Sequence, residues 1–281
     1  MPSRTILITG ASDGIGAAAA RQLSAEGHRL LITGRSATKI AAVATDCGAE
    51  AFVADFGDFA DVRRLAAQIH EALDGNGLDV LANNAGGIFG DTATTVDGLD
   101  KTLQVNHLSP FLLTTLLLPD LLADGGGSVI NTSSVGNRLF GNIDINDLNN
   151  EKSPHANKKY GDAKLANILF TRELHARYHD AGLSSVAFHP GNVATNFASD
   201  TTSILRFVYR TPLKRLGLIS PAQGGSHLAW LIEGTPDTTW QSGAYYDKRK
   251  LSTKVNPQVT DDTLARALWS ASAELVTVSP R

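Results

Sequence analysis

Short apolar runs and longer amphipathic stretches alternate along almost the whole chain. The apolar runs are rich in β-branched residues, which favour strands, and seven strands are predicted: 5–9, 29–33, 49–53, 78–83, 128–132, 185–189 and 244–246. Helices are predicted between them, at about 14–26, 37–46, 60–73, 96–122 with a break, 156–180, 221–233 and 261–277. This alternation is typical of βαβ crossovers. We therefore expect an α/β fold, a doubly wound parallel sheet of about seven strands with helices on both faces.

The length of 281 residues suits a single hydrophobic core, so we expect one domain over residues 1–281. Two irregular segments, 138–159 and 192–220, break the alternation. Long insertions of this kind are usually functional lids or loops, and we expect 192–220 to be a substrate lid. Its apolar side chains predict a hydrophobic substrate. They are Phe197, Ile204, Leu205, Phe207, Val208 and Tyr209.

Composition and charge exclude several classes of partner. A net charge of -3 gives no electrostatic basis for binding nucleic acid or anionic lipid. The N-terminus lacks the features of a signal peptide, and the most apolar stretch, 108–122, is interrupted by polar residues and prolines and is too short to span a bilayer. The single cysteine, Cys47, fits a reducing compartment. We expect a cytoplasmic protein with no membrane partner.

The first predicted strand runs directly into a turn that contains Gly10, Gly14 and Gly16, and an alanine-rich helix follows. Glycines at such a turn let the backbone approach a pyrophosphate, whose charge meets the N–H groups and positive dipole end of the helix. A glycine trio alone is more often a plain turn, but at the first strand-to-helix junction of a Rossmann-type sheet it favours dinucleotide binding. The expected contacts are Gly10, Ser12, Asp13, Gly14, Ile15 and Gly16.

The second predicted strand ends at Thr33 and is followed by Gly34 and Arg35. A protein specific for NAD usually carries an acid here to hydrogen-bond the ribose 2′-hydroxyl. Gly34 leaves room for a 2′-phosphate and the Arg35 guanidinium can bind it, so we expect NADP(H) to be preferred over NAD(H). Two observations argue against this preference. Arg35 could simply be a solvated charge at the start of a helix, and Asp13 places a negative charge close to the phosphates.

Further cofactor contacts are expected past the third and fourth strands. Asp55 could accept a hydrogen bond from an adenine amino group, and the segment 83–86 (Asn-Asn-Ala-Gly) ends the fourth strand. In an open parallel sheet, ligands bind beyond the carboxyl ends of the strands, where these residues fall. Each alone is better explained as a loop or a turn, but together with the glycine loop they predict one surface. Its members here are Asp55, Phe56, Asn83, Ala85 and Gly86.

The long predicted helix that starts near residue 156 carries Tyr160 and Lys164, four residues apart. This spacing places the phenol and the ammonium on one helical face, where the lysine charge favours the tyrosinate and lowers the pKa of the tyrosine. A phenol with an unperturbed pKa of about 10 is a poor acid or base at neutral pH, so proton transfer needs that shift. Because such pairs also occur by chance, with the lysine solvated, the catalytic interpretation depends on partners.

Two polar positions are candidate partners. One hydroxyl of the pair Ser133 and Ser134 lies at the carboxyl end of the fifth strand, where it can hydrogen-bond a substrate oxygen, and strand alternation alone does not decide between them. Asn106 interrupts an apolar helix and could hold a water that links the lysine to solvent. A buried helix asparagine more often satisfies a neighbouring backbone group, so this role of Asn106 is secondary.

These motifs, in this order and spacing, resemble the signature set of the short-chain dehydrogenase/reductase family. The resemblance covers most of the chain. It rests on segments 9–16, 83–86 and 189–191 (His-Pro-Gly), and on Asn106, Ser134, Tyr160 and Lys164. Within the family, the long gap between the serine and the tyrosine resembles the retinol dehydrogenase-like branch. So do the stretches 147–149, 164–174 (KLANILFTREL) and 267–269.

The resemblance implies a role for each member of the set. Tyr160 would be the general acid in reduction and the base in oxidation, and Ser134, the second serine of its pair, would orient the carbonyl. Lys164 would bind the nicotinamide ribose and tune the tyrosine, and Asn106 would complete a proton relay. The segment after the sixth strand would cover the cofactor, and the expected contacts there are Pro190, Gly191, Val193 and Thr195. No metal is expected, because the eight histidines show no ligand spacing.

The sequence therefore predicts an NADP(H)-dependent oxidoreductase that interconverts an aldehyde or ketone and an alcohol on a hydrophobic small molecule. Two alternatives stay open: a dinucleotide-binding sensor or scaffold that has lost the chemistry, and a reductase of carbon-carbon double bonds. The lone cysteine, Cys47, is far from the site, which disfavours the second. Apolar faces at 112–118 and 168–174 could pair across a two-fold axis in a homodimer or homotetramer.

Overall fold

The computed structural model describes residues 2–90, 93–152, 155–192 and 219–277. One sheet runs through these residues, in the order β3-β2-β1-β4-β5-β6-β7-β8. Its strands are β1 (Thr5–Thr9), β2 (Arg29–Gly34), β3 (Glu50–Val53), β4 (Val80–Asn83), β5 (Ser128–Thr132), β6 (Ser184–His189), β7 (Ala244–Asp247) and β8 (Lys250–Leu251). The first seven are parallel, and the two-residue β8 pairs antiparallel with β7. The predicted fold class and all seven predicted strands are confirmed, and β8 is an addition.

Nine helices of the described residues connect and cover these strands. They are α1 (Gly14–Ala25), α2 (Ala37–Cys47), α3 (Phe59–Leu73), α4 (Lys101–Leu116), α5 (Leu118–Leu122), α6 (Gly136–Leu139), α7 (Ala156–Tyr178), α8 (Pro221–Glu233) and α9 (Asp262–Thr277). The predicted helix at 96–122 starts late, at Lys101, because Thr94 and Asp100 form an antiparallel bridge before it. Within α4, the segment Gln104–Leu108 is a π-helical turn, a feature that is frequent at functional sites.

The order of the strands places a crevice above β1 and β4. From β1 the chain moves outward to β2 and β3, then returns to β4 on the other side of β1 and continues outward to β5, β6 and β7. The connections on either side of this reversal leave in opposite directions, so their loops separate above the carboxyl ends of β1 and β4. Ligands of open α/β sheets bind at such a switch point.

Two apolar cores lie on the two faces of the sheet. β1, β4, β5 and β6 are almost completely buried, as expected for central strands with helices on both sides. On one face the strands pack against α3, α4, α7 and α9, and on the other against α1, α2 and α8. The central strands are therefore fixed from both sides, which makes their carboxyl ends a rigid base for a site.

Helix α9 covers the face that α4 and α7 share. The Trp269 ring of α9 lies 5.0 Å from the Phe111 ring and 5.8 Å from the Phe170 ring, centre to centre. The Arg177 guanidinium carbon lies 4.5 Å from the centre of the same tryptophan ring. The apolar faces at 112–118 and 168–174, predicted to be available to a second copy, are thus largely buried within the chain itself.

Two further predictions concern the substrate lid and a membrane-spanning helix. The predicted lid at 192–220 lies mostly outside the described residues, and so do Val193, Thr195 and the lid's six apolar side chains. Over the described ranges, no single helix is long and apolar enough to cross a membrane. The segments Lys101–Leu116 and Leu118–Gly125, which meet at a bend of 62°, pass that test of length and composition only as a pair.

Candidate active site

A cleft of about 420 Å³ opens above the carboxyl ends of the central strands. It runs from the start of α2 to the start of α7. Most of the predicted site residues line it: Gly10, Ser12, Asp13, Gly14, Ile15, Arg35, Phe56, Ala85, Gly86, Ser134, Tyr160, Lys164, Pro190 and Gly191. Four predicted residues do not, namely Gly16, Asp55, Asn83 and Asn106. The structure thus brings the predicted cofactor loop and the predicted catalytic side chains to one cavity.

The glycine loop is pressed closely against the end of β4. Gly10 has a φ of +66°, and a Cβ atom there would lie 2.7 Å from the Cα of Ala85. A Cβ on Gly16 would lie 2.5 Å from the Gly10 carbonyl oxygen. The Thr9 hydroxyl accepts hydrogen bonds from the Asn84 and Ala85 N–H groups at 3.0 Å each. These two glycines are therefore required by the packing of the loop.

The N-terminus of α1 faces the cleft and fits a phosphate group. Asp13 is the N-cap, and its carboxylate accepts a hydrogen bond from the Gly14 N–H at 2.7 Å. Helix geometry leaves the N–H groups of Ile15 and Gly16 without acceptors inside the helix. Donors in this position, together with the helix dipole, attract anions. The residues present thus suit a dinucleotide pyrophosphate, which would share the helix start with the Asp13 carboxylate.

Two basic side chains lie at the end of the cleft that is formed by the start of α2, far from Tyr160. Arg35 and Lys39 both line it, as does Ser36, the N-cap of α2. Lys39 also lies 3.9 Å from the Asp13 carboxylate. Sequence reasoning missed Lys39, although its position one helical turn beyond Arg35 was a usable signal.

Gly34 lines the cleft and is also packed against the first loop. A Cβ atom on Gly34 would lie 2.8 Å from the Ser12 Cβ atom, so the glycine is required by close packing against the first loop. Any side chain at this position would meet Ser12. That Gly34 leaves room for a 2′-phosphate stays a prediction.

Asp55 and Asn83 do not line the cleft. The Asp55 carboxylate accepts from the Gly57 N–H at 2.8 Å and so closes a local turn. The Asn83 amide is 3% exposed and donates to Thr114 Oγ1 and Asn131 Oδ1 at 2.9 and 3.0 Å. The cleft is lined instead by Asn84, which the prediction left out and whose amide donates to the Thr9 carbonyl oxygen.

The two serines after β5 both line the cleft but have different surroundings. Ser133 is 2% exposed, and its hydroxyl donates to the Lys164 carbonyl oxygen at 2.7 Å. Ser134 is half-buried and lines the cleft, and its hydroxyl accepts from the Gly136 N–H at 3.2 Å. A hydroxyl that accepts from a backbone group still has its own hydrogen to donate. Ser134 is thus the serine whose hydroxyl is placed to meet a ligand.

Tyr160 and Lys164 lie on the buried face of α7. Tyr160 is 9% exposed and Lys164 is 2% exposed. The lysine ammonium lies 5.7 Å from the centre of the tyrosine ring and donates to the Thr132 carbonyl oxygen at 3.1 Å. Burial lowers the pKa of Lys164 to about 7. The predicted pair is therefore a desolvated cation beside a phenol, inside the cleft.

Asn106 lies within the π-helical turn and is fully buried. Its side-chain amide donates to the Gly87 and Thr102 carbonyl oxygens at 2.8 Å each, and its Oδ1 accepts from the Gly87 N–H at 3.1 Å. A Cβ on Gly86 would lie 2.4 Å from that Oδ1 and 3.1 Å from the Lys164 ammonium. The side chain of Asn106 thus holds the loop after β4 beside the lysine. This agrees with the interpretation that a buried helix asparagine satisfies neighbouring backbone groups.

His189 ends β6 and lines the cleft. Burial, opposed by the nearby Asp247 charge, lowers the pKa of His189 to about 4. A ring with this pKa is neutral at physiological pH and cannot serve there as an acid.

Comparison with known proteins places these features in a wider group. The family model for short chain dehydrogenases matches residues 4–204. A protein of Streptomyces sp. (strain C5), provisionally named a daunorubicin C-13 ketoreductase, is 38% identical over 283 residues, which cover 98% of this chain and 93% of that protein. Retinol dehydrogenase 13 of Homo sapiens is 35% identical over 290 residues, covering 98% of this chain and 85% of that protein.

A solved structure is also similar over the full length. The crystal structure of an uncharacterized protein from Mycobacterium paratuberculosis is 30% identical and has a TM-score of 0.75, and the match covers 100% of this chain and 97% of that one. The similarity is therefore not confined to the cofactor loop and the strands beside it.

Proposed function

The chain belongs to the short-chain dehydrogenase/reductase family, and we propose that it uses NADPH to reduce an aldehyde or ketone on a hydrophobic small molecule to the alcohol. One observation carries this proposal. Ser134, Tyr160 and Lys164 line the same cleft as the glycine loop, although they come from three different parts of the chain. A nicotinamide cofactor bound along the loop supplies or accepts the hydride in such a reaction.

Tyr160 is the proton donor in the proposed reduction. Its phenol protonates the carbonyl oxygen as the carbon gains the hydride, and takes the proton back in the reverse direction. The Ser134 hydroxyl donates a hydrogen bond to the same oxygen, which stabilises the charge that develops there. The two groups together hold the carbonyl in one orientation.

Lys164 supports the tyrosine from its buried position. Its ammonium lies close enough to favour the tyrosinate form, and in a buried site this attraction is stronger than it is in water. The lysine also has N–H groups beyond the one that the Thr132 carbonyl oxygen accepts, and these would bind the cofactor ribose. Asn106 acts indirectly, by holding the loop at Gly87.

The preference for NADP(H) is supported by the charges at the far end of the cleft. The Arg35 guanidinium and the Lys39 ammonium would both meet a 2′-phosphate, and the Ser36 hydroxyl offers a further hydrogen bond. Asp13 weakens this attraction by the charge it places 3.9 Å from Lys39. Because two cations face one carboxylate, the net charge at this end of the cleft is positive and attracts a 2′-phosphate.

The substrate end of the cleft is apolar. Ile88 and Ala156 pack beside Tyr160, and Phe89 lines the cavity. Phe140, which packs against Gly161 next to Tyr160, and its neighbour Leu139 are 42% and 59% exposed, which is unusual for large apolar side chains grouped together. The names of the two relatives, a ketoreductase and a retinol dehydrogenase, both describe interconversion of a carbonyl and an alcohol. A hydrophobic carbonyl compound suits both observations.

The test is turnover of a panel of aldehydes and ketones of increasing apolar size, each with NADPH and with NADH. We expect oxidation of NADPH that depends on the carbonyl compound, with kcat/KM rising with apolar size and higher with NADPH than with NADH. Binding of NADPH without turnover of any member would favour a sensor or scaffold. Turnover confined to compounds with a conjugated carbon-carbon double bond, with loss of that bond, would favour the double-bond reductase.

A further inference from the structure

A chain of buried hydrogen bonds runs from Lys164 to helix α9. The Lys164 ammonium and the Asn167 side-chain amide both donate to the Thr132 carbonyl oxygen, at 3.1 Å each. The Asn167 side-chain oxygen lies 3.3 Å from His107 Nδ1, and His107 Nε2 lies 2.9 Å from the Ser272 hydroxyl. All five residues are between 0% and 9% exposed.

Only one arrangement of hydrogen atoms satisfies all of these contacts. The Asn167 amide nitrogen also donates to the Asn106 carbonyl oxygen at 3.0 Å, so both of its N–H groups are used and its oxygen faces His107. That oxygen can only accept, so His107 carries its proton on Nδ1. The lone pair on His107 Nε2 then accepts from the Ser272 hydroxyl.

His107 is held in the neutral form that this arrangement needs. Burial lowers its pKa to about 4, although the hydrogen bond to Asn167 acts in the opposite direction. The rings of Phe111 and Phe170 lie 6.3 and 6.0 Å from the imidazole, centre to centre, and fix its plane. The imidazole therefore has one donor and one acceptor, each with a partner.

We propose that Asn167 is a positioning residue for Lys164. His107 and Ser272 hold Asn167 in the orientation that this role requires. Ser272 thereby connects helix α9 to the active site through hydrogen bonds, although it does not line the cleft. The proposal rests on the proposed function, because it assigns a consequence for turnover to the placement of Lys164.

The shared carbonyl explains how Asn167 acts. A carbonyl oxygen has two lone pairs, and at Thr132 one is used by Asn167 and the other by Lys164. The asparagine thus limits the ammonium to one hydrogen bond with this oxygen and fixes its direction. The other N–H groups of Lys164 stay oriented toward the cleft, where the ribose and Tyr160 would meet them.

The decisive experiment combines Asn167→Leu, which keeps the branched shape of the side chain and removes its three hydrogen bonds, with Ser272→Ala, which removes only the far end of the chain. With NADPH and a carbonyl compound that the wild type reduces, we expect kcat to fall roughly ten- to hundredfold in Asn167→Leu and a few-fold in Ser272→Ala. The KM for the carbonyl compound should change less than about twofold, since neither residue lines the cleft.

The matched control is Ser270→Ala, an exposed serine on the same helix. It should leave kcat unchanged. In the double variant Asn167→Leu with Ser272→Ala, the second substitution should have no further effect on kcat, because its route to the lysine is already cut. An equal effect of Ser272→Ala in both backgrounds, or an unchanged kcat in Asn167→Leu, would overturn the proposal.

Nitrogen-15 NMR of the histidine ring and the lysine side chain tests the same chain without turnover. In the wild type His107 should be protonated on Nδ1 only, and Ser272→Ala should shift the Nε2 signal, which loses its hydrogen bond, while the proton stays on Nδ1. The Lys164 Nζ signal should shift in Asn167→Leu and stay in place in Ser270→Ala. Protonation of His107 on Nε2, or an unshifted Lys164 signal in Asn167→Leu, contradicts the proposal. A wild type that binds NADPH and reduces no carbonyl compound counts against the proposed function alone.

Discussion

The Lys164 ammonium lies 5.7 Å from the centre of the Tyr160 ring, one helical turn along the buried face of α7. The arrangement combines two effects that usually oppose each other. Desolvation makes the ammonium less stable, while the low polarity of the same surroundings strengthens its attraction for a tyrosinate.

Tyr160→Phe should reduce kcat by about 10² to 10⁴, because the variant keeps the ring and loses only the proton that the carbonyl oxygen needs. The Kd for NADPH, measured by fluorescence titration, should change less than about twofold. Tyr178→Phe is the matched control, since it removes a hydroxyl from the same helix where the ring packs against Trp269. A Tyr160→Phe variant with most of its activity would exclude the phenol as the proton donor.

Lys164→Met should abolish turnover and yet stabilise the cofactor-free protein. The pKa of this lysine falls from 10.5 in the unfolded chain to about 7 in the folded one. Below about pH 7 the lysine is charged in both states and the full cost of burying the charge applies. Between about pH 7 and 10.5 the unfolded chain binds more protons, so this cost shrinks as the pH rises.

The measurement for Lys164→Met is urea unfolding of wild type and variant at pH 6, 8 and 9.5 without cofactor. The excess stability of the variant should be largest at pH 6 and smallest at pH 9.5. Titrating groups far from Lys164 contribute equally to both proteins and cancel in the difference. A difference that does not vary with pH would show that burial does not depress the pKa of this lysine.

Arg35→Ala should weaken NADPH binding by roughly ten- to hundredfold and leave NADH binding within about twofold, since a charged hydrogen bond to a phosphate is worth about 1.5–3 kcal/mol. Lys39→Ala should act in the same direction with a smaller effect, because Asp13 already neutralises part of its charge. Arg266→Ala, on the exposed side of α9, controls for net charge. Equal losses for both cofactors would remove the 2′-phosphate from the explanation.

Trp269→Ala should lower the free energy of unfolding by about 2–4 kcal/mol, somewhat less than a fully buried tryptophan, because its ring is only half-buried. The substitution also uncovers Phe111 and Phe170. Urea unfolding gives the first effect, and size-exclusion chromatography should show self-association of the variant. Trp269→Phe should restore most of the stability and most of the monomeric behaviour. A Trp269→Ala variant as stable as the wild type would show that α9 is not needed to cover α4 and α7.

The fold could be predicted from the sequence because its central strands are apolar and β-branched on both faces. Such strands are stable in a parallel sheet that is covered by helices on both sides. The exceptions are short or local. β8 has two exposed residues and therefore no apolar pattern to detect. The late start of α4 depends on the bridge between Thr94 and Asp100, which is a contact between side-by-side segments that helical periodicity does not encode.

The site was predictable as a group of motifs and less so in its individual side chains. Neighbouring residues of a strand point to opposite faces, but alternation does not show which residue of a polar pair presents its polar group to a ligand in the cleft. For Ser133 and Ser134 the family resemblance chose the second. For Asn83 and Asn84 the prediction chose the first, and the packing of Thr114 and Asn131 against it gives the opposite result.

In chain order α9 comes after every other described helix and strand, so it is the last of them to leave the ribosome. Until it does, the apolar faces of α4 and α7 stay in contact with water, and His107 lacks the hydroxyl of Ser272. A nascent chain in this state has most of its sheet but exposes a large apolar surface, which makes it a target for chaperones and prone to aggregate. A stop codon before Asp262 would trap the chain in that unfinished state.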